Sequence, residues 1–169
     1  MGGVYGAGRV LRSRHGEVQR AWLQYEAECS FTDGHDRWSL YRAALDTPAA
    51  LPLLFDAVSL EPDGPLASGV VGDVLERVPE DEREQWVQLL PPGVRDFSAR
   101  RARELGVLAS LEQGGMPSDA VGEIIDGWSD WLQLRAVRAA SDKEVLHVVS
   151  QKGRTKAIRR AATEARQRR

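Results

Sequence analysis

Apolar residues in this chain recur at three- and four-residue spacings, and Pro or Gly interrupts the pattern roughly every ten to fifteen residues. That period gathers apolar side chains on one helical face, and the punctuation keeps each helix short. No segment alternates apolar and polar residues for long, and no Asn-Gly or Asp-Gly joins two β-branched runs. Strands and hairpins are therefore not expected; Asp33-Gly34 and Asp63-Gly64 sit between helical patterns instead. Helices this short do not persist alone in water, so each must bury its stripe against neighbours. The expectation is an all-α chain of about nine short antiparallel helices.

A first helix is expected over 14–29, where Val18, Trp22, Tyr25 and Cys29 share a face. Asp36 can cap a short helix carrying Trp38, Leu40, Tyr41 and Leu45. Thr47-Pro48 supplies a capping hydroxyl and a first-turn proline for a helix through Leu51, Leu54, Phe55 and Val58. Leu66, Val70, Val74 and Val78 mark the next helix, where Gly69 and Gly72 permit close approach of a neighbour. The acidic opening of PEDERE suits a helix N-terminus, and Trp86, Leu89 and Leu90 give that helix its apolar side. Beyond Pro91-Pro92-Gly93 a longer helix runs through Val94, Phe97, Leu105, Leu108 and Leu111. QGGMPS, 113–118, is the strongest break and a candidate hinge. Val121, Ile124, Ile125, Trp128, Trp131, Leu132 and Val137 then mark helix, with an interruption at Gly127. Ser141 and Glu144 fit a capping box ahead of Val145, Val148 and Val149, and Gly153 closes that helix as a C-cap. Ile158, Ala161, Ala162 and Ala165 line the last helix.

At 169 residues the chain fits a single α-helical domain, with residues 1–10 and 166–169 as candidate flexible ends. The lone Cys29 excludes an intrachain disulfide and a multi-cysteine zinc knuckle, and it favours a cytoplasmic setting. No secretory leader, complete myristoylation signal or membrane-length apolar run is read, so no membrane partner is expected. Of 23 basic and 25 acidic residues, positions 150–169 hold eight of the former and only Glu164 of the latter. An acidic body thus precedes a basic end, a division that can attract two kinds of partner or support a homo-oligomer. Arginines outnumber lysines 20 to 3, which reads mainly as the codon bias of a GC-rich, bacterial-type genome.

AIRRAATEA, from Ala157 to Ala165, resembles the second helix of a HEAT-type repeat: Ile158-Arg159, the pair Ala161 and Ala162, then Ala165. SDKEVLHVVSQKG before it resembles the first helix of such a repeat, and the likeness is looser over 48–112. The resemblance implies a right-handed α-solenoid or a compact helical-repeat bundle. Proteins with such repeats mostly bind other macromolecules, and a minority bind or act on DNA. The expectation is a non-catalytic protein that binds another macromolecule, a protein first and nucleic acid through the basic C-terminal helix as the alternative. An immunity or inhibitor protein against a basic toxin or nuclease is one version.

Residue by residue, catalysis finds little support. His15, His35 and His147 fall in different elements, and Cys29, Asp33, His35 and Asp36 lack a recognisable metal pattern. Cys29 with His35 has no third orienting residue. GGVYGAG lacks the strand and the Lys-Ser/Thr of a phosphate loop. No cofactor, metal or catalytic residue is therefore expected. The candidate protein-binding residues are Glu80, Asp81, Glu82 and Glu84, an acidic surface for a basic partner, and the i, i+3 pair Trp128 and Trp131, placed on one helix face. The candidate nucleic-acid-binding residues are Lys152, Arg154, Lys156, Arg159, Arg160 and Arg166, although no aromatic residue accompanies them for base stacking.

Overall fold

The structure, a computed structural model, describes residues 33–169. The helix expected over 14–29, with Trp22, Tyr25 and Cys29, lies outside the described residues, as does His15. The described chain is all-helical: α1 (Gly34–Leu45), α2 (Leu51–Ser59), α3 (Gly64–Leu75), α4 (Glu80–Gln88), α5 (Pro92–Glu112), α6 (Ser118–Ile124), α7 (Asp130–Ala139), α8 (Lys143–Lys152) and α9 (Lys156–Arg168). Two 3₁₀ turns, Pro48–Ala50 and Ile125–Gly127, complete it, and there is no strand among the described residues. The pattern through 121–137 divides in two because the turn at Ile125–Gly127 stops α6 and Ser129 caps a new helix by accepting from the Leu132 N–H.

The chain forms two compact units that divide after Ala102, within α5. In the first, α1 packs on α2 and α3, and α3 on α2 and α4. Leu40, Leu54, Val70, Val71 and Leu75 are fully buried there, and Phe55 meets Trp86 edge to face at 4.9 Å. The apolar interior surrounds a carboxylate. Arg37 donates to Glu61 through Nε (3.0 Å to Oε2) and Nη2 (3.2 Å to Oε1). The Tyr41 hydroxyl donates to Oε2 at 2.7 Å, and the Asp63 N–H donates to Oε1 at 3.0 Å. The Glu61 side chain has no solvent exposure, so these donors replace its lost hydration. They fasten α1 to the turn between α2 and α3.

In the second unit α8 packs on α9, α6 and α7, and α9 on α7. Its core joins Leu108 and Leu111 of α5 to Ile125, Leu132, Ala136, Leu146, Val149, Ile158 and Ala162. Gln133 is a fully buried polar residue of this unit. Its Nε2 donates to the Ile125 and Trp128 carbonyls, and its Oε1 accepts from the Arg154 N–H at 2.8 Å. All of its polar atoms therefore have partners inside the fold.

Several local expectations need correction. Asp33, not Asp36, caps α1, accepting from the His35 N–H; Asp36 instead lies in the first turn, where its charge suits the dipole. Asp142, not Ser141, caps α8 and accepts from the Glu144 N–H. Thr47 makes no capping hydrogen bond, because Pro48 opens a 3₁₀ turn before α2 begins. Phe97 is 51% exposed rather than part of an apolar face, with the Arg100 and Arg101 guanidinium groups each 5.6 Å from its ring. A Cβ on Gly69 would meet the Trp38 ring at 2.9 Å, as close approach requires, whereas Gly72 has no described atom within 4 Å of that position.

Two glycines end helices for different reasons. Gly114, at φ +68°, ends α5 in a Schellman motif: its N–H donates to the Leu111 carbonyl and the Gly115 N–H to that of Ser110. Gly153, after α8, has φ −52° and ψ 135°, which suit any residue, so it is not a left-handed cap. It is small because a Cβ there would lie 2.6 Å from the Val149 carbonyl oxygen and 2.8 Å from Ile158 Cγ2. Gly153→Ala is therefore expected to cost about 1–3 kcal/mol, read as a lower urea midpoint at unchanged slope.

Burial pushes the Tyr41 phenol well above its ordinary range, and its hydrogen bond to Glu61 and that carboxylate's charge push it further, against the pull of Arg37. Below about pH 10 the phenol is protonated whether the chain is folded or not, and the contribution to stability is whole. Above about pH 10 the unfolded chain releases this proton while the folded chain keeps it, so stability declines by up to about 1.4 kcal/mol per pH unit. Urea denaturation from about pH 9 to pH 11 is expected to show a shallower decline for Tyr41→Phe than for the unaltered chain.

Candidate functional site

The second unit carries an open groove of about 650 Å³ between α7 and α9. α7 has apolar side chains on two sides. Leu132, Ala136 and Val137 are buried, while Leu134 on the outer side is 47% exposed and Trp131 half-buried. From α9, Ala161 and Ala165, one turn apart, complete the apolar lining. Ile158 and Ala162 on the same helix turn into the core. The groove is thus floored by side chains that the unit's own packing leaves partly uncovered.

Its charged lining is basic. Arg135, Arg138, Arg168 and Arg169 border it, against the single carboxylate of Glu164. The Arg135 guanidinium sits over the Trp131 ring at 5.1 Å, bracing that ring as one wall. Arg169 donates to the Arg138 carbonyl at 3.0 Å, joining two of the lining residues. Arg160 donates to Glu164 at 2.8 Å across one turn of α9, an exposed pair of small energetic weight.

The two candidate tryptophans separate. Trp128 precedes the α7 cap in extended conformation, so it and Trp131 do not share a helix face; Trp128 is 5% exposed in the core and Trp131 lines the groove. Glu80, Asp81, Glu82 and Glu84 are exposed on α4, the first three in its opening turn. Glu84 accepts from Gln88. Glu82 also borders a smaller cleft with Asp56, Phe55 and Trp86.

The basic residues divide by role. Arg154 donates to the Asp126 and Trp128 carbonyls and to Asp130, and Lys152 donates to the Gly122 carbonyl at 2.7 Å. Arg159 reaches back to the Gly153 carbonyl, and Arg166 meets His147 Nδ1 at 2.6 Å. Lys156 and Arg160 are exposed. Lys152, Arg154, Arg159 and Arg166 are therefore tied to other elements or turns of the same unit, and Arg160 to Glu164 on its own helix. The arginines bordering the groove, by contrast, were not singled out from sequence. Their i, i+3 spacing at Arg135 and Arg138 beside Trp131 and Leu134 is the pattern that marks them.

Cys29 of the loop considered for metal or nucleophilic chemistry lies outside the described residues, while Asp33 is engaged as the α1 cap. Among the described residues, no three His, Cys, Asp or Glu side chains gather as metal ligands, and no helix is long and apolar enough to cross a membrane.

The hydrogen bonds of Arg154 have a measurable consequence. Arg154→Ala is expected to cost about 1–2 kcal/mol in urea denaturation, whereas Lys156→Ala leaves the midpoint unchanged. Comparison with protein-family models, with curated proteins and with solved structures finds no match to this chain.

Proposed function

We propose that this chain is a non-catalytic, helical-repeat protein that binds another protein, and that the α7–α9 groove is its docking surface. One observation carries the reading: Trp131 and Leu134 remain partly exposed beside each other on a helix whose opposite side is already buried. Exposed apolar side chains grouped within a polar rim are a mark of an interaction site. A half-buried Trp braced by Arg is also the kind of anchor around which binding energy concentrates. The packing of α8 on α9, over the stretch that resembles a HEAT repeat, supports the helical-repeat part. Glu61 and Gln133, two of the buried polar residues, have structural partners that account for their burial.

The test is affinity capture compared quantitatively between the unaltered chain and Leu134→Asp, with circular dichroism confirming that the variant melts as the parent does. The expected result is a partner retained by the parent and reduced about tenfold or more by Leu134→Asp, which removes an apolar anchor and puts a charged group in its place. Equal retention by Leu134→Asp, with loss on charge reversal at Glu80, Asp81, Glu82 and Glu84, would move the interface to α4 instead.

A further inference from the structure

The groove has a sign as well as a shape. On the reading that it is a docking surface, we propose that its occupant is an acidic amphipathic helix of a partner protein, seated with its apolar stripe on Trp131, Leu134 and Ala161. Four arginines border the groove against one carboxylate, and that carboxylate already has Arg160 as partner. An occupant lined with Lys or Arg would meet like charge along the rim; one flanked by Asp or Glu meets guanidinium forks suited to carboxylates.

The size of the groove fits a helix. Its α7 wall runs from Trp131 to Arg138, about 10 Å at the rise of an α-helix, or two turns. Ala161 and Ala165 present small side chains one turn apart along the other wall, which allows a helix to lie close. Anchors at i, i+3 or i+4 and i+7 of the incoming helix would span that length.

Two other occupants fit less well. Nucleic acid would use Trp131 for stacking, but Arg135 already covers a face of that ring. A second copy would have to supply an acidic helix with a free apolar side. In α4, the acid-rich helix of the described residues, Trp86 and Val87 are buried.

The experiment uses the full chain and three labelled synthetic peptides of about 15 residues, long enough to span the two-turn wall and fold into helix on binding. They carry Leu at the same anchor positions and differ only in their flanks: Glu, Gln or Lys. Fluorescence anisotropy is expected to show the Glu peptide bound most tightly, the Gln peptide about tenfold weaker and the Lys peptide weaker still. Salt should weaken the Glu complex. Arg138→Glu combined with Arg168→Glu should reverse the order of the Glu and Lys peptides, a reversal that a merely unfolded variant would not give.

Equal binding of all three peptides, lost on Leu134→Asp, would overturn the acidic preference and leave the docking groove standing. Binding of none, or binding indifferent to Leu134→Asp, would overturn both. A DNA or RNA oligonucleotide that displaces the Glu peptide would assign the rim to phosphate. Concentration-dependent dimerisation abolished by Leu134→Asp would assign the groove to a second copy. Either of these last results overturns the proposal.

Discussion

A carboxylate without water governs the first unit. Glu61 is fully enclosed, and an isolated anion there would be prohibitively costly; the surrounding residues are placed as its donors. Arg37 and Tyr41 lie four residues apart on α1, so one helix face delivers two of them, while the Asp63 backbone delivers another. The arrangement allows few alternatives in register. Sliding α1 by one residue would rotate both donors away and leave the anion stranded. Apolar packing among leucines and valines tolerates small shifts, but this cluster does not, and the orientation of α1 against the turn after α2 follows from it.

The second unit solves a similar problem with a neutral residue. Gln133 has both donor and acceptor capacity, and the unit supplies carbonyls for one and the Arg154 N–H for the other. Arg154 then extends its side chain over the same turn, to the Asp126 and Trp128 carbonyls. The segment between α8 and α9 is thereby held to the segment between α6 and α7. That link also orders the start of α9, whose far end supplies half of the groove.

The all-helical class was legible because the 3.6-residue period and the Pro/Gly punctuation act locally. The long α5 and the alanine-lined α9 were legible for the same reason. Caps were harder. In TDGHD and SDK several neighbouring side chains could each serve, and the choice depends on where the backbone leaves the extended region. The exposure of Phe97 was illegible because periodicity marks an apolar residue without saying whether a neighbour covers it. Individual cations of the basic end could be counted from sequence, but not that Lys152, Arg154, Arg159 and Arg166 would be tied to internal acceptors. The groove depends on which faces of α7 and α9 remain uncovered after packing, and that is a tertiary property.

Gly114 and Gly153 look alike in the sequence, each one following a helix, yet they answer to different constraints. At Gly114 the constraint is handedness, and Asn, which tolerates the left-handed region, is an acceptable exchange. At Gly153 the constraint is volume, and Asn is no better than any other residue with a Cβ. The helical ends of this chain would therefore drift differently under substitution, with position 114 free to sample Asn and position 153 confined to glycine.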